Sequence, residues 1–283
     1  MPDSFMNPAA KPEISVLIPA YNGAPWIAET LNRLAGAAGG LPYEAIVVDN
    51  ASADGTAEIC RRVPGARIIR NETNRGFSRA VNQAAAASSG RVLVAVNQDL
   101  HLQPGSLKAV HGFLAENDGL IGGALSCENG AEQPSCGPFP TLAQTLWRLP
   151  LPRRMRKYDL ARPHSKQAQA VDWVTGAFMG LRRELFDTIG GFDENYFMYY
   201  EDVDFCLRAR RAGIRSYFLP SAKGVHLHPF SGRDGAPDWL RQEVRFSQMR
   251  YFRKHRPGWE QAVILALNRA YFLVHGWTWR AHP

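Results

Sequence analysis

Short apolar runs alternate with amphipathic stretches through the first half of the chain. The apolar runs, which have the length and β-branched content of buried strands, are ISVLIP (14–19), EAIVVD (44–49), ARIIR (66–70) and RVLVAVN (91–97). The helical patterns begin at Pro25, Asp54 and Pro104, with one more from Ala80 to Ala87. Strands that alternate with helices are typical of parallel βαβ units. The pattern therefore predicts an α/β fold with a mostly parallel central sheet.

The second half is less regular. Between Ser126 and Ala170 the periodicity fades, which indicates a loop region over the site. Residues 171–183, VDWVTGAFMGLRR, form an apolar run that predicts a strand. The spacing of apolar residues predicts a helix that starts near Glu201, and RSYFLP at 215–220 predicts a strand after it.

Three segments follow from these patterns. Residues 1–12 lack the apolar core and basic head of a secretory signal, and we expect a flexible leader there. Residues 13–235 form one α/β domain, and residues 236–283 form a helical C-terminal extension of it. The most apolar stretch of that extension, 263–277, is interrupted by polar residues and is shorter than the ~18–20 residues of a membrane helix. We therefore expect no membrane-spanning segment.

Charge and cysteine content narrow the function only slightly. Thirty-three Lys and Arg against 26 Asp and Glu give a net charge of +7, which favours anionic partners such as nucleotide diphosphates or acidic lipids. Nucleic acid is not expected as a partner, because the net positive charge is the single feature of the sequence that favours it. Cys60, Cys127, Cys136 and Cys206 include no CxxC pair. Reduced thiols in the cytoplasm are the interpretation we prefer, with a bridge between Cys127 and Cys136 as the alternative.

Polar side chains follow three of the predicted strands at the point where each strand ends. They are Tyr21 and Asn22, then Asp49 and Asn50, then Asn97, Gln98 and Asp99. Because ligands of an open parallel sheet bind beyond the carboxyl ends of its strands, these residues should meet at one crevice.

Asp99 and Asp49 each have two interpretations. Asp99 could bind a divalent ion together with a diphosphate, or it could cap the helix that follows. Asp49 could accept an N–H of a nucleotide base, or the DNASADG run that it begins could simply form a capped turn. The sequence leaves both pairs of alternatives open.

The EDVD segment at 201–204 concentrates three carboxylates within four residues. Repulsion between them and partial burial among the aromatic residues of FMYYEDVDF can raise the pKa of one carboxyl towards the range of a general base. The alternative is that acidic residues are favourable at a helix N-terminus. His226 and His228 lie on the same side of an extended segment, and either could ligate a metal or be a structural histidine.

Taken in order, these motifs resemble glycosyltransferase family 2 and, within it, the rhamnosyltransferase-like branch that builds bacterial cell-surface polysaccharides. The resemblance spans about residues 13–232. It rests on SVLIPAYNG, VVDNASADGT, NRGFSRAVNQA, NQD, the block TGAFMGLRRELFDTIGGFDENYFMYYEDVDFCLRARRAG and HLHPFSG. It implies a single GT-A type (Rossmann-like) domain, inversion at the anomeric carbon and a Mg or Mn ion.

The resemblance also implies roles for individual residues. The nucleotide-sugar pocket would contain Tyr21, Asn22, Asp49, Asn74, Gly76 and Asn97. Asp202 would be the general base, Glu201 its neighbour on the acceptor side, and Asp99 the metal ligand, with His226 preferred over His228 as a further ligand. One departure concerns the metal: many relatives have Asp-x-Asp, or Asn-Pro-Asp in this branch, where this chain has Asn97-Gln98-Asp99. Metal binding could therefore be weak.

These considerations predict an inverting transferase that moves a sugar from a nucleotide diphosphate sugar to a saccharide. We expect dTDP-rhamnose as donor before a UDP-hexose, and the acceptor could be linked to a polyprenyl diphosphate at the inner membrane face. A sugar-nucleotide-binding protein without activity is the alternative. The extension combines basic and aromatic residues, as interfacial helices do, and three interpretations stay open: peripheral membrane contact, packing against the domain and formation of a homodimer. An oxidoreductase is not expected, because GxGxxG is absent after the first strand.

Overall fold

The structure, a computed structural model, describes residues 11–148, 167–227 and 237–277. The leader predicted at 1–12 lies almost wholly outside these ranges. The boundary predicted at 235/236 and His228 lie outside them as well.

The first half folds as four parallel strands joined by helices, as the apolar pattern predicted. The strands are β1 (Ile14–Ala20), β2 (Tyr43–Asp49), β3 (Ala66–Arg70) and β4 (Val92–Val96). The helices are α1 (Ile27–Asn32), α2 (Leu34–Ala38), α3 (Thr56–Arg61) and α4 (Gly76–Ala86). β1 lies between β2 and β4, in register from Ile14 opposite Tyr43 and Val92. The carboxyl ends of these strands therefore lie along one edge of the sheet.

The second half adds antiparallel strands to this sheet. It comprises β5 (Leu100–Leu102), α5 (Ser106–Glu116), β6 (Leu120–Ser126), β7 (Glu132–Gln133), β8 (Cys136–Gly137), α6 (Leu142–Arg148), β9 (Gln169–Val171), β10 (Trp173–Val174), β11 (Phe178–Arg182), α7 (Arg183–Ile189), α8 (Glu201–Arg211) and β12 (Ser216–His226). The order along the sheet is β3-β2-β1-β4-β11-β6-β12-β5. β11 runs antiparallel to both of its neighbours, whereas β6 and β12 are parallel to each other.

Both faces of the sheet are covered around β1 and β4, which is why these two strands are almost wholly apolar. Leu17 of β1 belongs to the cluster that includes side chains of α4 and α8, whereas Val16 belongs to the cluster on the opposite face with side chains of α1 and α5. Both residues are at most 1% exposed. Strand side chains alternate between faces, so a strand buried on both sides shows a continuous apolar run.

Helices α9 (Asp238–His255) and α10 (Gly258–Val274) form an antiparallel hairpin. Gln248 and Asn268 contact each other across it over 3.4 Å, and the rings of Phe246 and Phe272 lie 5.4 Å apart. The helical C-terminal extension predicted from sequence is therefore confirmed. No helix in the described ranges has the length and apolar character needed to cross a bilayer.

Three details differ from the prediction. The run 171–183 is not one strand, because a turn at Thr175 to Ala177 separates β10 from β11. The predicted strand 215–220 continues to His226 past an irregularity between Leu219 and Lys223. The bridge considered between Cys127 and Cys136 is absent, since all four cysteines are free.

Candidate active site

The loops after β1 and β4 are joined through the backbone of Tyr21. Its N–H donates to Oε1 of Gln98 over 2.9 Å, and Nε2 of Gln98 donates to the carbonyl of Tyr21 over 3.0 Å. A nearby glycine, Gly23, leaves room for this side chain, because a Cβ there would lie 2.1 Å from Oε1 of Gln98. Gln98 thus joins two of the predicted site loops.

Asn22 and Asp49 lie at the ends of neighbouring strands and contact the same turn. Asn22, at φ 48°, donates its N–H to Oγ of Ser52 over 2.9 Å and accepts from the N–H of Ala53 over 3.0 Å. Asp49 is fully buried, and its Oδ1 accepts the N–H of Ser52 over 3.1 Å. Its Oδ2 accepts no hydrogen bond from the described residues, although Nε of Arg70 lies 3.5 Å away. That oxygen is therefore a buried acceptor with an unused lone pair at the end of β2.

Asn74 and Gly76 belong to a loop that contacts the segment preceding α8. Oδ1 of Asn74 accepts the N–H of Gly76 over 3.0 Å, and the carbonyl of Gly76 accepts Nδ2 of the buried Asn50 over 3.1 Å. Gly76 has φ +82°, and a Cβ there would lie 2.4 Å from the carbonyl oxygen of Phe197. The N–H of Phe77 donates to that same oxygen over 2.8 Å. Only glycine fits this contact without displacing the neighbouring chain.

Asp99 and His226 meet although 127 positions separate them in sequence. Nε2 of His226 lies 3.2 Å from Oδ1 of Asp99, and also 3.2 Å from Nδ2 of Asn97. β12 brings them together, because His226 pairs with Leu100 at the start of β5. Both side chains are less than a tenth exposed. Two residues that the sequence suggested as ligands of one metal are therefore in contact.

Both ring nitrogens of His226 have polar neighbours. Nδ1 lies 3.0 Å from Oε1 of Gln133, whereas Nε2 faces both Oδ1 of Asp99 and Nδ2 of Asn97. Donor and acceptor roles depend on the tautomer, and a ring with its proton on Nδ1 would present the lone pair of Nε2 beside Asp99, where a cation would be stabilised. Carboxylate oxygen and imidazole nitrogen suit Mn well. The described residues include no group of three or more His, Cys, Asp or Glu arranged to hold an ion.

Asp202 lies in the first turn of α8 and is held against the turn between β10 and β11. Its Oδ2 accepts the N–H of Gly176 over 3.1 Å, and its Oδ1 accepts the N–H of Val203 over 2.8 Å. The preceding residue, Glu201, is buried, and its Oε2 has no hydrogen-bond partner in the described parts of the chain. Two carboxyl groups with different surroundings thus stand side by side.

Burial governs the protonation of these carboxyls. It raises the pKa of Glu201 well above the usual value, and the neighbouring charge of Asp202 raises it further. Burial also raises the pKa of Asp202, against the lowering effect of its backbone hydrogen bonds. Burial acts on Asp204 in the same direction, but hydrogen bonds from His255, Lys254 and Arg208 outweigh it and lower that pKa to about 2. The sequence predicted a raised pKa for one carboxyl of EDVD, and burial raises the pKa of two, Glu201 and Asp202; the role of Asp202 as general base stays a prediction.

The backbone before α8 is strained. Tyr199 and Tyr200 have φ of 67° and 64°, in the left-handed region that non-glycine residues rarely adopt. Tyr200 is the N-cap residue of α8, and its ring lies 5.6 Å from that of Tyr251 on α9. Sequence reasoning missed this feature, since neither tyrosine carries a signal for positive φ.

The structure thus groups the predicted residues around two connected centres. The strand-end loops hold Tyr21, Asn22, Asp49, Asn97, Asp99 and His226, and the first turn of α8 holds Glu201 and Asp202. The N–H of Asn97 donates to the carbonyl of Ala177, directly after Gly176, so β4 links the centres. Asn74 and Gly76 reach the second centre through Phe197. Asn50 and Gln98 were expected at the crevice but were given no role, and Gly176 was not predicted at the site although it stands in a quoted motif.

The fold resembles those of several solved structures. TarS of S. aureus in complex with UDP superposes with a TM-score of 0.55 at 19% identity, over 85% of this chain and 72% of that one. A mannosyltransferase of Pyrobaculum calidifontis in complex with GDP-Man and Mn²⁺ gives 0.54 at 19% identity, over 94% and 82%. The fold is therefore that of a GT-A glycosyltransferase, with the mixed sheet and helical C-terminal region described above.

Comparison of sequences identifies the family. The model described as "Glycosyl transferase family 2" matches residues 15–190, and "Glycosyl transferase family group 2" matches 158–281. The chain belongs to glycosyltransferase family 2. An N-acetylglucosaminyl-diphospho-decaprenol L-rhamnosyltransferase of Mycobacterium tuberculosis is 31% identical over 219 residues, 69% of this chain and 70% of that protein. The rhamnosyltransferase WbbL of Escherichia coli is 37% identical over 86 residues, 30% and 32% of the two chains. The rhamnosyltransferase-like resemblance is confirmed, and the protein is a nucleotide-sugar glycosyltransferase.

Proposed function

We propose that this enzyme transfers rhamnose from dTDP-rhamnose, with inversion, to a saccharide carried on a polyprenyl diphosphate during cell-surface polysaccharide synthesis. The similarity to the decaprenol-linked rhamnosyltransferase over more than two thirds of both chains supports the donor and the acceptor class. The observation that carries the chemistry is the position of Asp202. Its carboxylate stands at the N-terminus of α8 beside a second, buried carboxyl, and Gly176 fixes its orientation.

The nucleotide binds at the carboxyl edge of β1, β2 and β4 in this proposal. Oδ2 of Asp49, buried and without a hydrogen bond from the described residues, accepts an N–H of the base. Tyr21 is 46% exposed and offers a ring face at the same edge. Asn22 and Asp49 both form hydrogen bonds with Ser52. The loop that contains Asn74 and Gly76 lies between the nucleotide and the segment before α8.

Asp202 acts as the general base. It takes the proton from the acceptor hydroxyl as that oxygen bonds to the anomeric carbon, while the bond from this carbon to the diphosphate oxygen breaks. Attack from the face opposite the leaving diphosphate inverts the configuration and needs no covalent intermediate. Glu201, whose raised pKa favours the neutral form, can donate a hydrogen bond to the acceptor.

A divalent ion fits the donor set at the end of β4. Asp99 and His226 would hold Mn or Mg, and Asn97 lies within reach of the same position. When bound, the ion would neutralise the charge of the departing diphosphate. The contact between the carboxylate of Asp99 and the imidazole of His226 supports this assignment. The metal named with the Pyrobaculum enzyme is consistent with it.

The hairpin of α9 and α10 would bring the enzyme to the lipid-linked acceptor at the inner membrane face. Trp239, near the start of α9, is 53% exposed, and Leu273 and Val274, at the end of α10, are 80% and 83% exposed. Arg241 and Arg245 stand within two turns of Trp239, and their charge suits an anionic lipid surface. Flotation with anionic liposomes at low salt tests this proposal. Absence of binding would contradict it, and concentration-dependent self-association instead would indicate a dimer surface.

One experiment tests the transferase proposal directly. The enzyme is screened by thermal shift against nucleotide sugars with and without Mn, and donors that bind are then assayed with N-acetylglucosaminyl diphosphate linked to a short polyprenol. We expect stabilisation by dTDP-rhamnose, and a disaccharide product with inverted anomeric configuration by NMR. Binding with no turnover of any donor would favour the binding-protein alternative, and retained configuration would exclude the mechanism.

A further inference from the structure

One face of α9 lies along the segment that leads into α8. Ser247 donates its hydroxyl to the carbonyl of Met198 over 2.9 Å, and the ring of Tyr251 contacts that of Tyr200. Four residues further on, Nε2 of His255 lies 2.6 Å from Oδ1 of Asp204. Residues spaced by four lie on one side of a helix, so these contacts form a continuous stripe. The C-terminal extension is therefore in contact with the acceptor side of the site along several turns.

Asp204 is the most densely paired carboxylate of this contact. It is fully buried and accepts from Nε of Arg208 over 2.7 Å, Nζ of Lys254 over 2.8 Å and Nε2 of His255 over 2.6 Å. The hydroxyl of Tyr196 lies 3.5 Å away. Arg208 comes from α8 itself, whereas Lys254 and His255 come from the last turn of α9. The carboxylate therefore joins the two helices in an environment where each charged hydrogen bond is strong.

Asp204 also belongs to the helical turn that carries the proposed base. Its N–H donates to the carbonyl of Tyr200 over 2.8 Å, which closes the first turn around Glu201 and Asp202. The N-cap residue of α8 makes no capping hydrogen bond through its side chain, and it has positive φ. The first turn is instead held from two sides, by Gly176 through Asp202 and by α9 through Asp204.

We propose that Asp204 is a positioning residue for sugar transfer, which holds α9 against α8 and thereby fixes the carboxylate of Asp202 relative to the acceptor. This inference rests on the proposed function, because it assumes that Asp202 is the base. In this proposal Lys254 and His255, in the last turn of α9, contribute to the reaction by positioning, without contacting the reacting groups. A displacement of about 1 Å at a catalytic group can cost about 100-fold in rate.

The test compares Asp204→Asn with wild type in the transfer assay, per folded molecule. The amide keeps the volume but presents fewer acceptors to the three donors, Arg208, Lys254 and His255. We expect kcat to fall about 10- to 100-fold, while the donor KM and the thermal shift with dTDP change less than about twofold. The matched control is Asp193→Asn, which removes the other partner of Lys254, 2.6 Å from its Nζ, without touching Asp204. That variant should keep kcat within about twofold.

A second variant keeps the proposal testable if Asp204→Asn does not fold. His255→Gln removes the contact from the α9 side, and we expect a smaller loss of kcat with the donor KM unchanged. In the double variant with Asp204→Asn the losses should be clearly non-additive, because both changes break one link. A purely structural role would lower the melting temperature of these variants and leave kcat per folded molecule unchanged, which would overturn the proposal.

The outcomes also separate this inference from the proposed function. If wild type transfers sugar and Asp202→Asn does not, but Asp204→Asn and His255→Gln keep full kcat, the positioning role is wrong and the base assignment stands. If Asp202→Asn transfers at the wild-type rate, the base assignment fails whatever the other variants do. Additive losses in the double variant would also count against a shared link between Asp204 and His255.

Discussion

The side-chain oxygen Oδ2 of Asp202 accepts the backbone N–H of Gly176 over 3.1 Å. Gly176 precedes β11, and the carbonyl of the next residue, Ala177, accepts the N–H of Asn97 at the end of β4. Two hydrogen bonds therefore connect the proposed base to the strand end that carries Asp99. Because β11 is inserted antiparallel beside β4, residues more than a hundred positions apart become neighbours around one site.

Asp202→Asn should abolish most of the activity while the protein still binds nucleotide. The amide has nearly the same shape but cannot accept the proton, and loss of a general base costs on the order of 100- to 10,000-fold in rate. Transfer assays give kcat, and thermal shift with dTDP or UDP gives binding. Asp187→Asn, at an exposed position of α7, is the matched control and should be indistinguishable from wild type. Near wild-type transfer by Asp202→Asn would remove that residue from the base role.

The acid limb of the pH–rate profile should lie at a higher pH than it would for a general base with the pKa of an ordinary aspartate. The base must be deprotonated to act, and burial raises the pKa of Asp202, so its active form is lost sooner as the pH decreases. A pH profile of kcat/KM measures this limb in the free enzyme. A rate that is independent of pH down to the usual aspartate range would contradict the assignment.

Asp99→Ala should weaken the binding of nucleotide in the presence of Mn and have little effect in chelator. The change removes the carboxylate that faces Nε2 of His226, and with it one of two ligands proposed for the ion. Titration calorimetry with dTDP in Mn and in chelator makes the comparison. Asp118→Ala, an exposed carboxylate on the surface, controls for the loss of one negative charge. Unchanged affinity in both conditions would show that Asp99 does not bind a metal.

The sequence predicted the first half of the fold closely, because β1, β4 and most of β2 are buried on both faces and therefore largely apolar. It failed where short elements depend on tertiary partners. β5 has only three residues, Leu100–Leu102, and forms because β12 pairs with it. The turn at Gly176 divides one apolar run into two strands, since β10 pairs with β8 and β11 with β4. Periodicity cannot reveal pairing of this kind.

Site residues could be predicted from the sequence more readily where a motif fixes the local structure. Asp99 and His226 were paired on the basis of family resemblance, and the sheet register explains why they meet. The contribution of α9 had no such signal. His255 and Lys254 stand in a basic, aromatic helix that suggested a membrane surface, yet both pair with a buried carboxylate of α8. Long-range ion pairs leave no periodic pattern, so only the fold could show them.

Gly76→Ala should destabilise the protein more than a glycine substitution at another position with similar φ. Gly76 and Gly213 have φ of +82° and +83°, but a Cβ at 76 would lie 2.4 Å from the carbonyl oxygen of Phe197, whereas nothing lies within 4 Å at 213. We expect Gly213→Ala to cost about 1 kcal/mol from the backbone alone, and Gly76→Ala about 2–4 kcal/mol. Urea unfolding measures both. Equal losses would mean that the chain near Phe197 moves away without cost.

Acid should remove the stability contributed by Asp204 at a lower pH than for an ordinary carboxyl. Its pKa is lowered from 3.8 to about 2 in the folded protein, so its contribution is complete above about pH 4 and is lost as the pH falls towards 2. At 1.36 kcal/mol per pKa unit the pH-dependent part is about 2 kcal/mol. The measurement is the free energy of unfolding of wild type and of Asp204→Asn between pH 5 and pH 2.5. The other carboxyls titrate in both proteins, so the difference between the two free energies reports Asp204. We expect that difference to shrink as the pH decreases. A constant difference would show that the partners of Asp204 do not stabilise its charged form.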